Sequence, residues 1–515
     1  MNKNLCAWVR GITALGLVLT IPIVLASGEK RVTVPIALPF QHSSSVATSA
    51  AVAPSPSSAT NAIQPMVFTQ TPATVITSTA YSSAPALTPL VAVVPIAMAS
   101  SAAVSSVAAE PVPGGDPASQ ASAAAEKAEP EPAIAIPVVT TAPIKAPRYP
   151  VGHPEAFVPE FEDYIARKVA PFVPGVAVVI VSGGQIKSLN GYGVRRAGTR
   201  EKVTPDTVFR LASLSKAFAA TSASVLVHEG GISWDTKVTA VLPSVVFKNA
   251  RYGKELTLRH ALSQSSGLPR HTYTHFIDEN MNYADIVARL RYVNFVCPPG
   301  KCFAYQNVMY SLAGDMMKKK SGMSFEKYTE QKVLDPLGMR SASYGLNNYN
   351  ASPNRAAPHI ASGKRWIPTS VTANWYRVAP AAGVNASIVD MSRFLLAQMG
   401  KRQDVLPLAV LDPIQARVTK NTPAQNYYGV RKAVGNTAYG MGWRVFDYGR
   451  NKNFIHHGGH VKGFRTEMVF NRDLQIGMVF LSNSETRFAR DVIFKFLDSY
   501  ERAQVAAREV AKKKK

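Results

Sequence analysis

The chain has 515 residues, a net charge of +24 and 46% hydrophobic residues. This exceeds one average domain and allows a large core, but the first third is too poor in charged and aromatic residues to belong to it. Residues 27–147 carry slightly more acidic than basic groups, so the positive excess lies elsewhere; it suits anionic envelope polymers or a membrane surface, or is simply a solvated exterior.

Lys3 and Arg10 precede an uncharged apolar run, Gly11 to Ala26, that ends in Val24-Leu25-Ala26. Basic residues, an apolar stretch and small residues at its end make an export signal. The run is shorter than the ~20 residues that span a bilayer, which favours cleavage over a retained N-terminal anchor. Either outcome delivers the remainder to the periplasmic side of an inner membrane. Residues 27–147, rich in Ala, Ser, Thr and Pro, read as a disordered linker. Export and the lack of an aromatic-basic recognition motif argue against nucleic acid as a partner.

Order is expected from residue 148 to 505, with 506–515 a basic, frayed tail. Pro154 to Ala170 has helical spacing of Phe157, Phe161, Tyr164, Ile165 and Val169. Gly175 to Val181 and Gln185 to Val194 read as strands joined by a hairpin turn at Gly183-Gly184. A small-residue helix runs from Leu211 to Glu229 and stops at Gly230-Gly231. Residues 257–339 look mainly helical and 341–380 turn-rich, and Ser387 to Asp390 fits a capping box. Strands follow at Gly442–Tyr448, Asn453–His457, Arg465–Asn471 and Gln475–Ser482, then a helix near Ala489. Strands at both ends with helices between imply an α+β fold: a central antiparallel sheet from N- and C-terminal segments, flanked by helices, with a mainly helical insertion at about 235–375.

Three clusters carry chemistry. Ser213 and Lys216 are three apart on one helix face, so the amine can sit beside the Ser213 hydroxyl, whereas Ser215 points ~100° away from it. The helix N-terminus favours an oxyanion, and burial would lower the proton affinity of Lys216. Tyr305 and Asn307 follow a Pro-Pro-Gly turn: a phenol shifted toward phenolate by a lysine ammonium can accept the serine proton, and the amide can hold a substrate carbonyl. His456-His457-Gly458-Gly459-His460 ends a strand, where glycines let a backbone N–H approach a reacting carbonyl. Cys297 and Cys302 flank Pro298 to Lys301, and an exported pair so spaced reads as a disulfide rather than a metal site.

The order of these clusters resembles the penicillin-recognising serine hydrolases, the family of class C β-lactamases, D-Ala-D-Ala carboxypeptidases and related esterases. The matching stretches are PGVAVVIVSGGQIKSLNGYGV, TPDTVFRLASLSKAF, LSQSSGLP, PPGKCFAYQNVMYSLAG, DPLGM and HHGGHVKGF, across about Pro174 to Glu485. The resemblance implies that Ser213 is acylated, Lys216 is its amine partner, Tyr305 is base or proton shuttle, and Asn307 binds substrate. His457 with Gly459 would fill the family's third motif, and the His460 N–H would join that of Ser213 in the oxyanion hole. Two departures stand out. His457 replaces the lysine of typical β-lactamases, and a neutral imidazole recognises a carboxylate less well. Gln264 stands where many relatives have histidine, at a place read as structural.

The expectation is an exported serine hydrolase that needs no metal or organic cofactor and acts through an acyl-enzyme on a peptidoglycan D-amino-acid peptide, a β-lactam or a small ester. The rivals are an idle envelope-binding module on a tether and a metal hydrolase drawing on His271 and His275. The second lacks the glutamate of an H-E-x-x-H motif. His228 and His260 read as structural.

Overall fold

The computed structural model describes residues 142–423, 425–429 and 431–514. The expected signal and residues 27–141 of the expected linker lie outside them. The frame is a sheet of eight strands: β1 (Gly175–Ser182), β2 (Gln185–Gly193), β8 (Thr419–Lys420), β9 (Val434–Tyr439), β10 (Arg444–Tyr448), β11 (Asn451–Val461), β12 (Phe464–Asn471) and β13 (Ile476–Ser482). Their spatial order is β2-β1-β13-β12-β11-β10-β9-β8 with antiparallel neighbours, so the two chain ends meet where β1 pairs with β13, Val176 opposite Ser482. Three strands, β3 (Phe209–Arg210), β4 (Ser343–Tyr344) and β7 (Val384–Ala386), form a second small sheet. The hairpin of β5 (His359–Ser362) and β6 (Arg365–Pro368) stands apart.

Alternation along β1 builds two cores. Val176, Val178 and Ile180 face an outer layer with Phe157, Phe161, Phe496 and Leu497 from the N- and C-terminal helices. Ala177, Val179 and Val181 face the inner layer with the helix Ser215–His228 and the inserted helices. A strand buried on both faces reads as a continuous apolar run, which is the composition of this segment. Gly183 and Gly184, at φ 59° and 69°, make the tight turn of the expected hairpin.

Three features depart from expectation. The first helix stops at Tyr164 and continues as a wider turn, Ile165–Val169, before Pro171 ends it. β8 and β9 carry little sequence signal: β8 is a two-residue edge strand, and β9 beside it is half-exposed without clear alternation. The tail expected from 506 is instead the end of one helix, Phe488–Lys513. It is held by contact: Gln504 Nε2 donates to the Pro154 carbonyl at 2.9 Å, and Val510 lies so close to Gly152 that a Cβ there would meet it at 2.5 Å.

The N-terminal boundary also lies earlier than 148. Ile144 and Leu189 exchange two backbone hydrogen bonds of 2.8 Å, Asn190 Nδ2 donates to the Ile144 carbonyl, and the Ala146 N–H donates to Glu162. These cover the open edge of β2. A chain beginning at residue 142 is therefore expected to unfold in guanidinium at the same midpoint as the full chain. One beginning at Arg148 should lose about 1–3 kcal/mol, and equal midpoints for the two would show that the segment contributes nothing.

Candidate active site

The nucleophile sits at a bend. The Leu211 N–H donates to the Val384 carbonyl at 2.9 Å, and Ala212 takes φ 51°, a left-handed conformation that costs a residue with a Cβ. That bend starts a tight turn, Ala212–Leu214, which leads into the helix Ser215–His228. Ser213 is left at the cleft, whereas Ser215 is buried with its Oγ accepting the Val384 N–H at 3.0 Å. Ser215 is structural, as its direction on the helix implied.

Lys216 is fully buried. Its Nζ donates to Asn307 Oδ1 at 2.8 Å and to the Ala381 carbonyl at 3.1 Å, and lies 3.4 Å from Ser213 Oγ. Burial, then the nearby positive charge of Arg444, hold its pKa well below the usual lysine value. A neutral amine has two N–H bonds and one lone pair. With both N–H groups committed to Asn307 and Ala381, the lone pair is left for the Ser213 hydroxyl.

Tyr305 lies over this amine, its ring centroid 4.8 Å from Lys216 Nζ, and its phenol is close enough to Ser213 for that hydroxyl to lower its pKa. Burial pushes the phenol up to about 12, against the lowering by Ser213, Arg444 and Arg270. The expected shift toward phenolate does not occur, because desolvation outweighs the nearby cations. Tyr305 therefore holds a proton at rest, which fits a shuttle rather than the first base. Asn307 also differs from expectation. Its Oδ1 holds Lys216 and its Nδ2 donates to Thr274 Oγ1 at 3.3 Å, so it positions the amine.

Gln264 explains how the Tyr305 segment is fixed. Its Oε1 accepts the Gln306 N–H at 2.6 Å, its Nε2 donates to the Gln306 carbonyl at 3.2 Å, and its own carbonyl accepts the Ala304 N–H at 2.8 Å. Cys297 and Cys302 form the expected disulfide with Cα atoms 6.3 Å apart, and the enclosed Gly300 N–H donates to the Ser265 carbonyl at 2.7 Å. His260, as expected, serves structure: it completes the capping box of Thr257.

On β11, Gly459 is where the sheet touches the nucleophile bend. A Cβ there would lie 2.1 Å from the Leu211 carbonyl oxygen and 2.4 Å from Thr466 Oγ1. The same carbonyl accepts the Thr466 hydroxyl at 2.9 Å. β10 pairs with β11 only as far as Arg444 opposite His456, so from His457 onward that edge of β11 has no strand partner. The Gly459–His460 backbone thus runs on an open edge against the nucleophile bend, where an oxyanion donor is needed. The His460 side chain itself is near Glu485, at 4.0 Å.

His457 is buried with both nitrogens occupied: Nε2 is 3.0 Å from the Tyr439 hydroxyl and Nδ1 2.9 Å from the Gly458 carbonyl. Burial and the charge of Arg444 depress its pKa well below the usual value. It is a neutral wall group, 6.3 Å ring to ring from Tyr305, and not a free partner for a substrate anion. His456 on the opposite face meets a carboxylate that the sequence reading overlooked, Glu467 on β12, at 2.8 Å. Among the described residues, no group of three or more His, Cys, Asp or Glu side chains could hold a metal. The His271 ring lies tilted beside that of Tyr305, 5.5 Å between centroids, its pKa lowered to about 4 by burial and then by Arg270.

Sequence reasoning also missed Arg444. Its guanidinium lies 4.4 Å from the ring of Tyr427, 5.6 Å from Tyr305 and 5.7 Å from Tyr439, with no ion pair or hydrogen bond from its side chain among the described residues. Tyr427 donates to Glu467 at 2.9 Å, which fixes the ring under the cation. No motif marks this arginine. The only available signal was a lone basic residue starting a strand that pairs with the histidine cluster.

Two outcomes follow. Ser213→Ala should abolish covalent labelling by a fluorophosphonate probe, while Ser215→Ala keeps labelling and loses about 1 kcal/mol of stability from its buried hydrogen bond; the reverse pattern would move the nucleophile. The kcat/KM profile should rise with pH through the depressed Lys216 pKa, since the neutral amine is the active form, and level off above it. Arg444→Gln removes a neighbouring positive charge, raises that pKa and shifts the limb to higher pH. An unmoved or downward-shifted limb would separate Arg444 from Lys216.

The β-lactamase family model matches residues 161–497. The unguisins hydrolase of Aspergillus campestris is 27% identical over 323 residues, 61% of this chain and 59% of that protein. Protein flp of Staphylococcus aureus strain MRSA252 is 22% identical over 326 residues, 62% of each chain. The chain thus spans about three fifths of the length of these relatives. Among solved structures, the octameric penicillin-binding protein homologue from Pyrococcus abyssi aligns with a TM-score of 0.56 and 24% identity, over 66% of this chain and 77% of that one, a likeness of fold. With more than half its length matched, and with the serine, amine and phenol assembled in one cleft, the chain belongs to the β-lactamase family of serine hydrolases.

Proposed function

We propose that the protein is an exported serine hydrolase, active in the periplasm, that forms an acyl-enzyme at Ser213 on a substrate whose leaving side carries a carboxylate, as a D-amino-acid peptide of peptidoglycan does. The observation that carries the reading is the fully buried Lys216 amine, with both N–H groups committed and Ser213 Oγ at 3.4 Å. An idle binding module has no need to keep an amine buried and uncharged beside a serine hydroxyl.

In the reaction, Ser213 Oγ attacks the substrate carbonyl carbon and its proton passes to Lys216. The carbonyl oxygen, now an oxyanion, is held by backbone N–H groups at Ser213 and His460. As the bond to the leaving group breaks, Tyr305 gives its proton to the departing nitrogen or oxygen and regains one from Lys216. Water then attacks the acyl ester by the same route in reverse, which restores Ser213 and releases the acid.

Arg444 supports the choice of substrate class. Its half-buried cation faces the cleft through Tyr305 and has no ion pair among the described residues, which leaves it for a ligand anion. His457, neutral and doubly hydrogen-bonded, offers no such charge. The names of two related proteins, an unguisins hydrolase and a penicillin-binding protein homologue, are compatible with acyl transfer.

A panel of D-Ala-D-Ala peptides, nitrocefin and uncharged p-nitrophenyl esters tests this reading. Arg444→Gln should lower kcat/KM for the carboxylate-bearing substrates about 10- to 100-fold, measured on each variant's pH plateau, and for the uncharged ester less than about 3-fold. Equal losses on both classes would remove Arg444 from substrate recognition. No acylation of Ser213 by any member would favour the binding module.

A further inference from the structure

Away from the catalytic cleft, a cavity of about 440 Å³ opens between the turn after β2 and the chain around β5 and β6. It shares no residue with the acylation site. Its walls include Arg195, Arg196 and Arg355, with Asn350, Thr369 and Ser370. Arg195 is already spent: it pairs with Glu201 at 3.1 Å and donates to the Pro353 carbonyl at 2.6 Å. Arg196 and Arg355 have no acidic partner among the described residues; Arg355 donates once, to the Ser352 carbonyl. The side chains of Asn350, Thr369 and Ser370 make no hydrogen bond among the described residues.

The walls are built rather than incidental. The Ala357 N–H donates to the Arg195 carbonyl at 2.9 Å, the Val208 backbone pairs with Asn354 and Ala356, and the Thr369 N–H donates to the Pro358 carbonyl at 2.8 Å. Asn354 ties the same segment to Thr207 and Thr204. Behind one wall lies Arg210, 3% exposed, with Nε and Nη2 unpartnered and its ring contact at 4.2 Å on Tyr376. Its charge acts on Tyr349, a lining residue, and no carboxylate offsets it.

The cavity is thus rich in donors and positive charge, and its single carboxylate is already paired. Such a lining is complementary to a group dense in acceptors and negatively charged. Its volume is well beyond that of a free inorganic anion and is within the range of small-molecule sites. The geometry points to a second binding site here that takes an oxyanion, phosphate or carboxylate, carried on a sugar-sized group. For a basic domain acting on an envelope polymer, such a site would hold the protein against an acidic saccharide while the cleft works elsewhere.

Calorimetric titration of the full chain at low salt with glucose 6-phosphate, glucuronate and inorganic phosphate tests this. The expected result is saturable 1:1 binding of one of the two sugars, tighter than inorganic phosphate; the preferred sugar tells a phosphate site from a carboxylate site. The double variant Arg196→Gln/Arg355→Gln, altered only at exposed side chains, should weaken that binding ~10-fold or more and leave Ser213 labelling unchanged. Arg444→Gln should leave the sugar bound. Absence of saturable binding, binding unaffected by the double variant, loss of binding in Arg444→Gln, or equal affinity for inorganic phosphate would each overturn the proposal.

Discussion

Lys216 is wholly buried beside a serine hydroxyl with no carboxylate among its partners, and the organisation of the site follows from how poorly that position supports its charge. Burying an ammonium costs several kcal/mol, and two hydrogen bonds to the neutral oxygens of Asn307 and Ala381 do not offset it. The Lys216 pKa is therefore held well below the usual lysine value. Arg444 adds to the effect, since a second cation nearby raises the cost of protonating the first. The base is thus made by exclusion of water and counter-ions, without a histidine-aspartate relay.

That exclusion depends on close packing. The helix carrying Lys216 is lined with alanines and serines and is buried from Ser215 to Leu226. Two glycines let the surrounding chain close over it: a Cβ on Gly442 would meet the Lys216 carbonyl oxygen at 2.5 Å, and one on Gly459 would meet that of Leu211 at 2.1 Å. Tyr310 completes the seal, its hydroxyl donating to the Lys216 carbonyl at 2.6 Å. The sheet strand that offers open backbone N–H groups and the helix that offers the nucleophile are brought together by the same contacts that dry the amine.

What was legible in the sequence is what depends on local spacing. The three-residue interval between Ser213 and Lys216, the Gly183-Gly184 hairpin, the Ser387 capping box and the short cysteine loop all act within a few residues, and each stands in the fold as read. The antiparallel sheet built from both chain ends was legible too, since strand-length apolar runs cluster at those ends. What escaped depends on contacts made across strands. Arg444 matters because β10 sets it beside His456, and Glu467 because β12 brings it under Tyr427. Asn307 and Tyr305 were legible as residues, but not that Asn307 holds the amine or that Tyr305 keeps its proton, because burial and packing decide these and no interval encodes them. The C-terminal helix ran past its expected end for a similar reason: the Pro150–Pro154 turn that receives it is some 350 residues away in the chain.

Arg444 and Glu467 show how the site keeps a cation available yet fixed. A direct ion pair would hold the guanidinium but consume its charge. Here the carboxylate is one aromatic ring away: Glu467 accepts the Tyr427 hydroxyl at 2.9 Å, and Arg444 lies 4.4 Å from the face of that ring. The cation–π contact fixes the guanidinium plane for about 0.5–2 kcal/mol and leaves its N–H groups unspent. The buried negative charge is satisfied by Tyr427 and His456 rather than by the arginine. In relatives with lysine at the third motif, charge and strand position reside in one residue. In this chain they are divided, with His457 closing the wall as a neutral group and the adjacent strand supplying the charge, so that the proposed recognition of a substrate anion would draw on the same arginine that depresses the Lys216 pKa.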